Sequence, residues 1–186
     1  PTVFVRFWAD ATSLDAWVIG EYVSVATQVK KAYQNYQYRK ATRMLFNFCN
    51  ETLSAMYLAA VKDRLYCDKA DAPRRRRTQD ALYRVSSGLI RLLAPIMPHT
   101  ADEAWRSLHP GDDDACVHLE KLPSCAGCAA VAVSDLWEPV MQQRDTWLRA
   151  IESYRQEHDI DNPLDLGLAA DMPEAFDPVD MADLCS

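Results

Sequence analysis

The residues best equipped for intermolecular chemistry are cations. Arg39, Lys40 and Arg43 stand close together, with Arg39 and Arg43 one helical turn apart. Lys62 and Arg64 follow, and then four consecutive arginines, Arg74, Arg75, Arg76 and Arg77. Groups of this kind suit phosphate, which a guanidinium fork meets with two parallel hydrogen bonds. The arginine run falls near an expected helix start, where the helix dipole opposes cations. A bound phosphate would relieve that opposition and also meet the unpaired backbone N–H groups of the first turn. The alternative is a solvated face whose arginines pair with Asp68, Asp71 or Asp80. Tyr36, Tyr38, Tyr57 and Tyr66 lie among these cations. Their rings could stack on unpaired bases, or belong to the core and its edge.

Cys116, His118, Cys125 and Cys128 form the one metal-like set, with residue types that suit tetrahedral zinc. The other reading is a surface loop with incidental cysteines and a packed His118. A single Cys-x-x-Cys pair is weak evidence, so no metal site is assigned. Bond-breaking machinery is missing from the sequence. The five glycines are isolated from one another and make no phosphate cradle. Neither a Gly-x-Ser-x-Gly elbow nor a His-Glu-x-x-His pair occurs, and the four histidines are scattered.

The elements that would position the cations read as helices. Glycine is scarce, with only Gly20 and Gly88 before residue 111, and strand-rich folds need more tight turns than that. Ser13 suits an N-cap, and Leu14, Val18, Tyr22, Val25 and Val29 then recur at steps of three and four, predicting a helix to about Ala32. Ala41, Met44, Leu45 and Phe48 predict a second, continuing past a break near Asn50 through Leu53, Met56, Tyr57, Ala60 and Val61 to Leu65. A loop is expected from Cys67 to Pro73 and a third helix from Thr78 to Leu93, facing inward at Leu82, Val85, Leu89, Leu92 and Leu93. Pro95 and Pro98 interrupt it, and Thr100 with Glu103 matches a capping box for a short helix through Trp105 to Leu108. Short extended pieces are expected around Val117 and Val131. Ser134 to about His158 reads as a last helix, with Leu136, Val140, Trp147, Ile151 and Tyr154 on one side.

The 186 residues thus divide into an all-α antiparallel bundle core (1–109), a connecting loop (110–134), an added helix (135–158) and an acidic, partly irregular C-terminal extension (159–186). Charge follows the same division. Residues 1–109 carry 16 Lys and Arg against 10 Asp and Glu, whereas residues 110–186 carry 4 against 17. A locally basic surface joined to an acidic region is the expected result, although the whole chain has a net charge of −7. No apolar run approaches the ~18 residues of a membrane span. Six irregularly spaced cysteines suit reduced thiols and a cytoplasmic setting. The start at Pro1 rather than Met points to a processed or cut chain.

A more specific signal lies in strings of residues. Asn47-Phe48-Cys49, Leu53-Ser54, Tyr57-Leu58 and Lys62-Asp63-Arg64-Leu65-Tyr66-Cys67-Asp68 resemble the anticodon-binding region of bacterial-type isoleucyl-tRNA synthetases, class I aminoacyl-tRNA synthetases. The likeness continues in Pro73-Arg74-Arg75, Gln79, Leu82-Tyr83 and Leu92 to Trp105, with Leu14-Asp15-x-Trp17 upstream and Trp137, Arg144 and Ile151-Glu152-x-x-Arg155 downstream. Ala16 departs from the arginine common in that family, and Ile160-Asp161-Asn162-Pro163 replaces its glycine-containing turn.

The resemblance implies an antiparallel helical bundle that binds the anticodon stem-loop of an isoleucine tRNA, and the cations expected to meet it are Arg39, Lys40, Arg43, Lys62, Arg64 and Arg74–Arg77. It implies a monomer that is one piece of a larger ligase, with no cofactor in this piece. ATP and magnesium would serve a separate catalytic domain, and zinc a separate C-terminal module. A stand-alone RNA-binding or regulatory module, and a helical protein-interaction scaffold, are the other expectations.

Overall fold

In the computed structural model of this chain, the described residues are 12–124 and 133–162, with the single positions 166 and 169. They are helical, with no strand among them. Helix α1 spans Leu14–Gln34, and Ser13 caps it by accepting a hydrogen bond from the Ala16 N–H at 3.2 Å. One uninterrupted helix then runs back along α1 as three segments: α2 (Tyr38–Asn47), a π-helical stretch (Phe48–Tyr57) and α3 (Leu58–Tyr66). Helix α4 (Pro73–Leu93) lies against the other side of α1. Helix α5 (Pro98–Leu108), a 3₁₀ turn at Val117–Leu119 and α6 (Val133–Glu157) complete the fold. None of the helices among the described residues is long and apolar enough to cross a membrane.

The π segment replaces the break expected near Asn50, and the periodicity of the core explains it. Each α-helical residue advances about 100°, so a plain α-helix counted from Ala41 would carry Val61 and Arg64 roughly 200° and 140° away from it. A π-helix turns only about 80° per residue, which brings Tyr57, Val61 and Arg64 back to within roughly 40° of Ala41. Ala41, Leu45, Phe48, Tyr57, Val61 and Arg64 are all buried, as one continuous inner face requires.

That face meets α1 in two apolar clusters. The lower one joins Leu14 and Val18 to Met56, Tyr57, Val61, Trp137 and Val140; the upper one joins Tyr22, Ala26 and Val29 to Ala41, Leu45, Phe48, Val85 and Leu92. On α1 the fully covered residues include Val23 and Ala26, whereas Val25 is half-buried. On α4, Thr78, Ala81, Val85 and Leu92 are buried, and Leu82, Leu89 and Leu93 are only half-covered. On α6 the buried residues are Trp137 and Val140, while Tyr154 is exposed and stacks on His158 with ring centroids 3.9 Å apart.

Between the lower cluster and α4 lies a buried polar knot. Asp15 sits on the inner face of α1 among apolar neighbours. Its carboxylate accepts from Tyr57 Oη at 2.6 Å, from Thr78 Oγ1 at 3.0 Å and from Arg77 Nε at 2.8 Å. Arg64 Nη1 lies 3.6 Å from the same carboxylate and donates to Thr78 Oγ1 at 3.4 Å. Arg64 has no exposed surface at all. A buried ion held this way is a severe constraint, because losing one partner leaves the other charged and dry.

Three further boundaries differ from expectation. Helix α4 starts at Pro73, not Thr78, because proline fits the first helical position and Arg74 and Arg75 are anchored there. Helix α5 starts at Pro98 for the same reason, so Thr100 lies inside it and no side-chain cap forms. Val117 lies in a 3₁₀ turn rather than an extended piece, with its N–H donating to Asp102 Oδ1 at 3.1 Å. The expectations for Val131, Cys125, Cys128 and nearly all of 163–186 lie outside the described residues.

Asp15→Asn keeps the shape of the knot and removes its negative charge. It should cost about 3–5 kcal/mol of unfolding free energy, read as a fall in the urea midpoint; a change below 1 kcal/mol would refute the central role of Asp15.

Candidate nucleic-acid interface

The cations singled out in the sequence separate into two groups. Arg64 and Arg77 are part of the Asp15 knot and face inward. Arg74 grips Asp68 through both Nε and Nη2, each at 3.1 Å, and Arg75 Nη1 donates to the Asp68 carbonyl at 2.7 Å. The hydrogen bond from Arg74, aided by the charges of Arg74, Arg64 and Arg75, holds the Asp68 carboxyl below its usual range. These four arginines are therefore committed to the chain's own acceptors, and the buried Arg64 is out of reach of a surface phosphate. Of the run 74–77, Arg76 alone is exposed, with Nη1 3.3 Å from Gln79 Oε1.

Arg39, Lys40, Arg43 and Lys62 are exposed. The π segment decides how they are arranged. With the inner face of the long helix fixed on the core, Arg39, Arg43, Phe46, Asn50, Glu51, Lys62, Asp63 and Tyr66 all fall on the opposite side, and all are exposed. Phe46 shows 66% of its surface and Tyr66 80%. Arg43 and Lys62 stand 19 residues apart on one helix, roughly 25 Å along its axis. The result is an aromatic edge that carries charges of both signs along its length and is cationic without carboxylates at the start of α2.

That cationic end has its own geometry. The α1–α2 turn closes with the Gln37 N–H donating to the Ala32 carbonyl at 2.8 Å and the Tyr36 N–H to the Tyr33 carbonyl at 3.0 Å. This is a Schellman turn, whose residue after the cap takes the left-handed conformation usually given to glycine. Here that residue is Tyr36, at φ 57°, with 81% of its surface exposed. Strain at an exposed aromatic side chain points to use rather than packing. Tyr38 lies beside it, half-exposed, with its ring 5.8 Å from that of Tyr33. Tyr33 donates to the Leu92 carbonyl at 2.7 Å; burial, and then the neighbouring Tyr38, push its hydroxyl up to about 12, so it stays a donor. Tyr36, Gln37, Tyr38, Arg39, Lys40 and Arg43 line one open concavity of about 650 Å³. Helix α2 begins there with no acidic residue in its first turn and no side-chain cap. Dipole and side chains therefore place positive potential on the same spot, as an anionic ligand requires.

Over residues 15–170 the chain matches the family model for the anticodon-binding domain of tRNA ligase. The chain belongs to that family. Among curated relatives it is 39% identical to the isoleucine–tRNA ligase of Halalkalibacterium halodurans over 145 residues, covering 77% of this chain and 16% of the relative. It is 37% identical to the isoleucine–tRNA ligase of Brevibacillus brevis over 160 residues, or 84% of this chain and 17% of the relative. A third, from Moorella thermoacetica, is 35% identical over 177 residues, covering 89% of this chain and 18% of the relative. The chain thus spans only about a sixth to a fifth of the length of these ligases.

Within this anticodon-binding domain, Tyr36, Tyr38 and Tyr66 are exposed as stacking residues must be, whereas Tyr57 is core. The sequence reading missed Phe46 and Asn50, whose places depend on the π segment. Of the zinc-like set only Cys116 and His118 are described: His118 is exposed and the Cys116 thiol bonds to Asp102, while Cys125 and Cys128 lie outside the described residues.

Neighbouring arginines of the run should therefore behave differently. Arg77→Ala should lower stability by about 2 kcal/mol or more, because it strips a buried carboxylate of a partner. Arg76→Ala should stay within about 0.5 kcal/mol of the parent. Equal effects in paired urea titrations would contradict this division.

Proposed function

We propose that this chain is the part of an isoleucine–tRNA ligase that binds the anticodon arm. The outer edge of the α2–π–α3 helix would lie along the RNA, so that a catalytic part elsewhere in the ligase can join isoleucine to the tRNA. The observation that carries the reading is the concavity at the start of α2, where three cations, an uncapped helix start and a strained, exposed tyrosine converge. Phosphates would be met by Arg39, Lys40 and Arg43, with Lys62 and Arg76 further along, and would fix the orientation of the RNA. Unpaired bases would stack on Tyr36, Tyr38 and Phe46, since sequence-specific RNA recognition targets splayed loops more than duplex grooves. The isoleucine assignment draws on the names of the relatives. A cytoplasmic monomer, with ATP and magnesium at a separate catalytic part and zinc at a separate C-terminal module, belongs to the same proposal. None of these groups is assigned to residues of this chain.

The test is fluorescence anisotropy with a labelled isoleucine-tRNA anticodon stem-loop at several salt concentrations. Each neutralised phosphate steepens the slope of log K against log salt by about 0.7 to 0.9. Replacing Arg39, Lys40 and Arg43 together by alanine should weaken binding at least about tenfold and flatten that slope by roughly 2. Unchanged affinity and slope would remove the edge from consideration.

Tyr36→Gly separates fold from function at a single residue. Glycine accepts the left-handed turn, so the chain should become more stable by up to about 1 kcal/mol. The stem-loop affinity should fall while the salt slope stays the same, because no charge is removed. Greater stability with undiminished affinity would show that the strained aromatic ring serves no ligand.

A further inference from the structure

The α1–α2 turn and the end of α4 meet at one residue, Tyr33. Helix α4 stops at Leu93, with Pro95 and Pro98 just beyond, and a helix that stops leaves its last carbonyls without donors from its own backbone. The Leu92 carbonyl is one of these. Pro95, three residues on, has no N–H, and Ile96, four residues on, turns its N–H to the Leu93 carbonyl at 2.9 Å. The donor that Leu92 receives comes from another helix: Tyr33 Oη on α1, at 2.7 Å. Burial, and then the neighbouring Tyr38, keep that phenol protonated, with its pKa pushed up to about 12.

The rest of Tyr33 is turned toward the exposed tyrosines of the concavity. Its backbone carbonyl accepts from the Tyr36 N–H at 3.0 Å and so helps to close the turn that holds Tyr36 left-handed. Its ring, half-buried against the upper apolar cluster, lies 5.8 Å from the Tyr38 ring at an interplanar angle of 45°. That separation and tilt are those of a contacting aromatic pair. The outer side of Tyr38 stays open, with 49% of its surface exposed. An exposed tyrosine ordinarily samples several rotamers, and that freedom is lost when a ligand orders the ring. Tyr38 has less to lose. One side of it rests on a ring that is itself pinned at both ends, by its backbone on α1 and by its hydroxyl on α4.

We propose that Tyr33 is the positioning residue of the α2 concavity: it touches no ligand, and it holds the Tyr38 ring in the orientation that a ligand meets. This role rests on the reading of the concavity as the RNA-binding site. It makes the order of that site depend on the end of α4, 59 residues from Tyr33 in sequence.

The experiment is a double-mutant cycle on the 186-residue chain, with the labelled isoleucine-tRNA stem-loop as probe and urea titrations alongside. Tyr33→Leu removes the ring and should weaken binding about fivefold, with the salt slope unchanged because no charge is lost. Tyr38→Leu should weaken binding as well. In that background Tyr33→Leu should have no further effect, because a positioning residue has nothing left to position. Tyr33→Phe keeps the ring and loses only the bond to Leu92. It should lower the urea midpoint while holding affinity within about twofold of the parent, a separation that a merely structural role would not give. If Tyr33→Leu does not fold, Tyr33→Met takes its place in the cycle. The positioning role alone is overturned if Tyr33→Leu binds like the parent, weakens binding equally in both backgrounds, or is matched in its loss by Tyr33→Phe. A parent chain that does not bind the stem-loop overturns the reading of the concavity and this role together.

Discussion

A carboxylate without water needs every donor it can find, and Asp15 sets the register of three helices on that account. Two hydroxyls and two guanidinium groups converge on it from the π segment, α3 and α4. Each must arrive in phase. Tyr57 and Arg64 reach it only because the long helix unwinds by half a turn between Phe48 and Tyr57. Arg77 and Thr78 reach it only because α4 begins at Pro73, one turn earlier than its apolar pattern suggests. Burying such a group adds little net stability when every partner is present, but an alternative packing that misplaces any one of them is heavily penalised. Asp15 therefore selects the arrangement more than it strengthens it.

The same phase adjustment shapes the outer surface. Because the inner face is continuous from Ala41 to Arg64, the outer face is continuous as well, and Lys62 and Tyr66 come onto the side that carries Arg39, Arg43 and Phe46. Without the π segment the lower half of the helix would turn its cations and its aromatic ring toward a different side of the bundle. One local irregularity thus places both the buried ions and the exposed ones. It also shows why charge density in the sequence was a poor guide to charge on the surface. Lys62 and Arg64 are separated by one residue, yet one is exposed and the other has no surface at all.

Much of the fold was legible. The Ser13 cap, the spacing of Leu14, Val18, Tyr22 and Val29, and the proline interruption after Leu93 correctly indicated antiparallel helices, because side-chain burial repeats with the helical period. Family likeness was legible too, and its most specific string, Lys62 to Asp68, turns out to hold Arg64 and Asp68, two residues that secure the chain to itself. What escaped was whatever depends on partners distant in sequence. A charged residue on the apolar face of α1, Asp15, was the available sign that some of the arginines would be internal. Aspartate almost never sits fully buried unless paired, so its position demanded a cation. The π segment left only a drift in the apolar spacing after Phe48, which reads equally well as a break. The Thr100–Glu103 box failed because Pro98 offered a helix start three residues earlier.

The electrostatics of the whole chain oppose RNA binding only until distance is considered. Net charge is −7, and residues 110–186 carry 17 of the 27 acidic side chains. At physiological ionic strength exposed charges are screened beyond about 8 Å, so what an incoming phosphate meets is the local edge and not the sum. Around the start of α2 that edge holds Tyr36, Tyr38, Arg39, Lys40 and Arg43 and no carboxylate. The pairing of Arg74 and Arg75 with Asp68, and of Arg64 and Arg77 with Asp15, concentrates this local field by committing those four arginines to the chain's own acceptors. A surface in which every arginine faced outward would attract any polyanion at long range; one in which a few are aligned on a single helix edge can favour a ligand whose phosphates and unpaired bases fall in matching order.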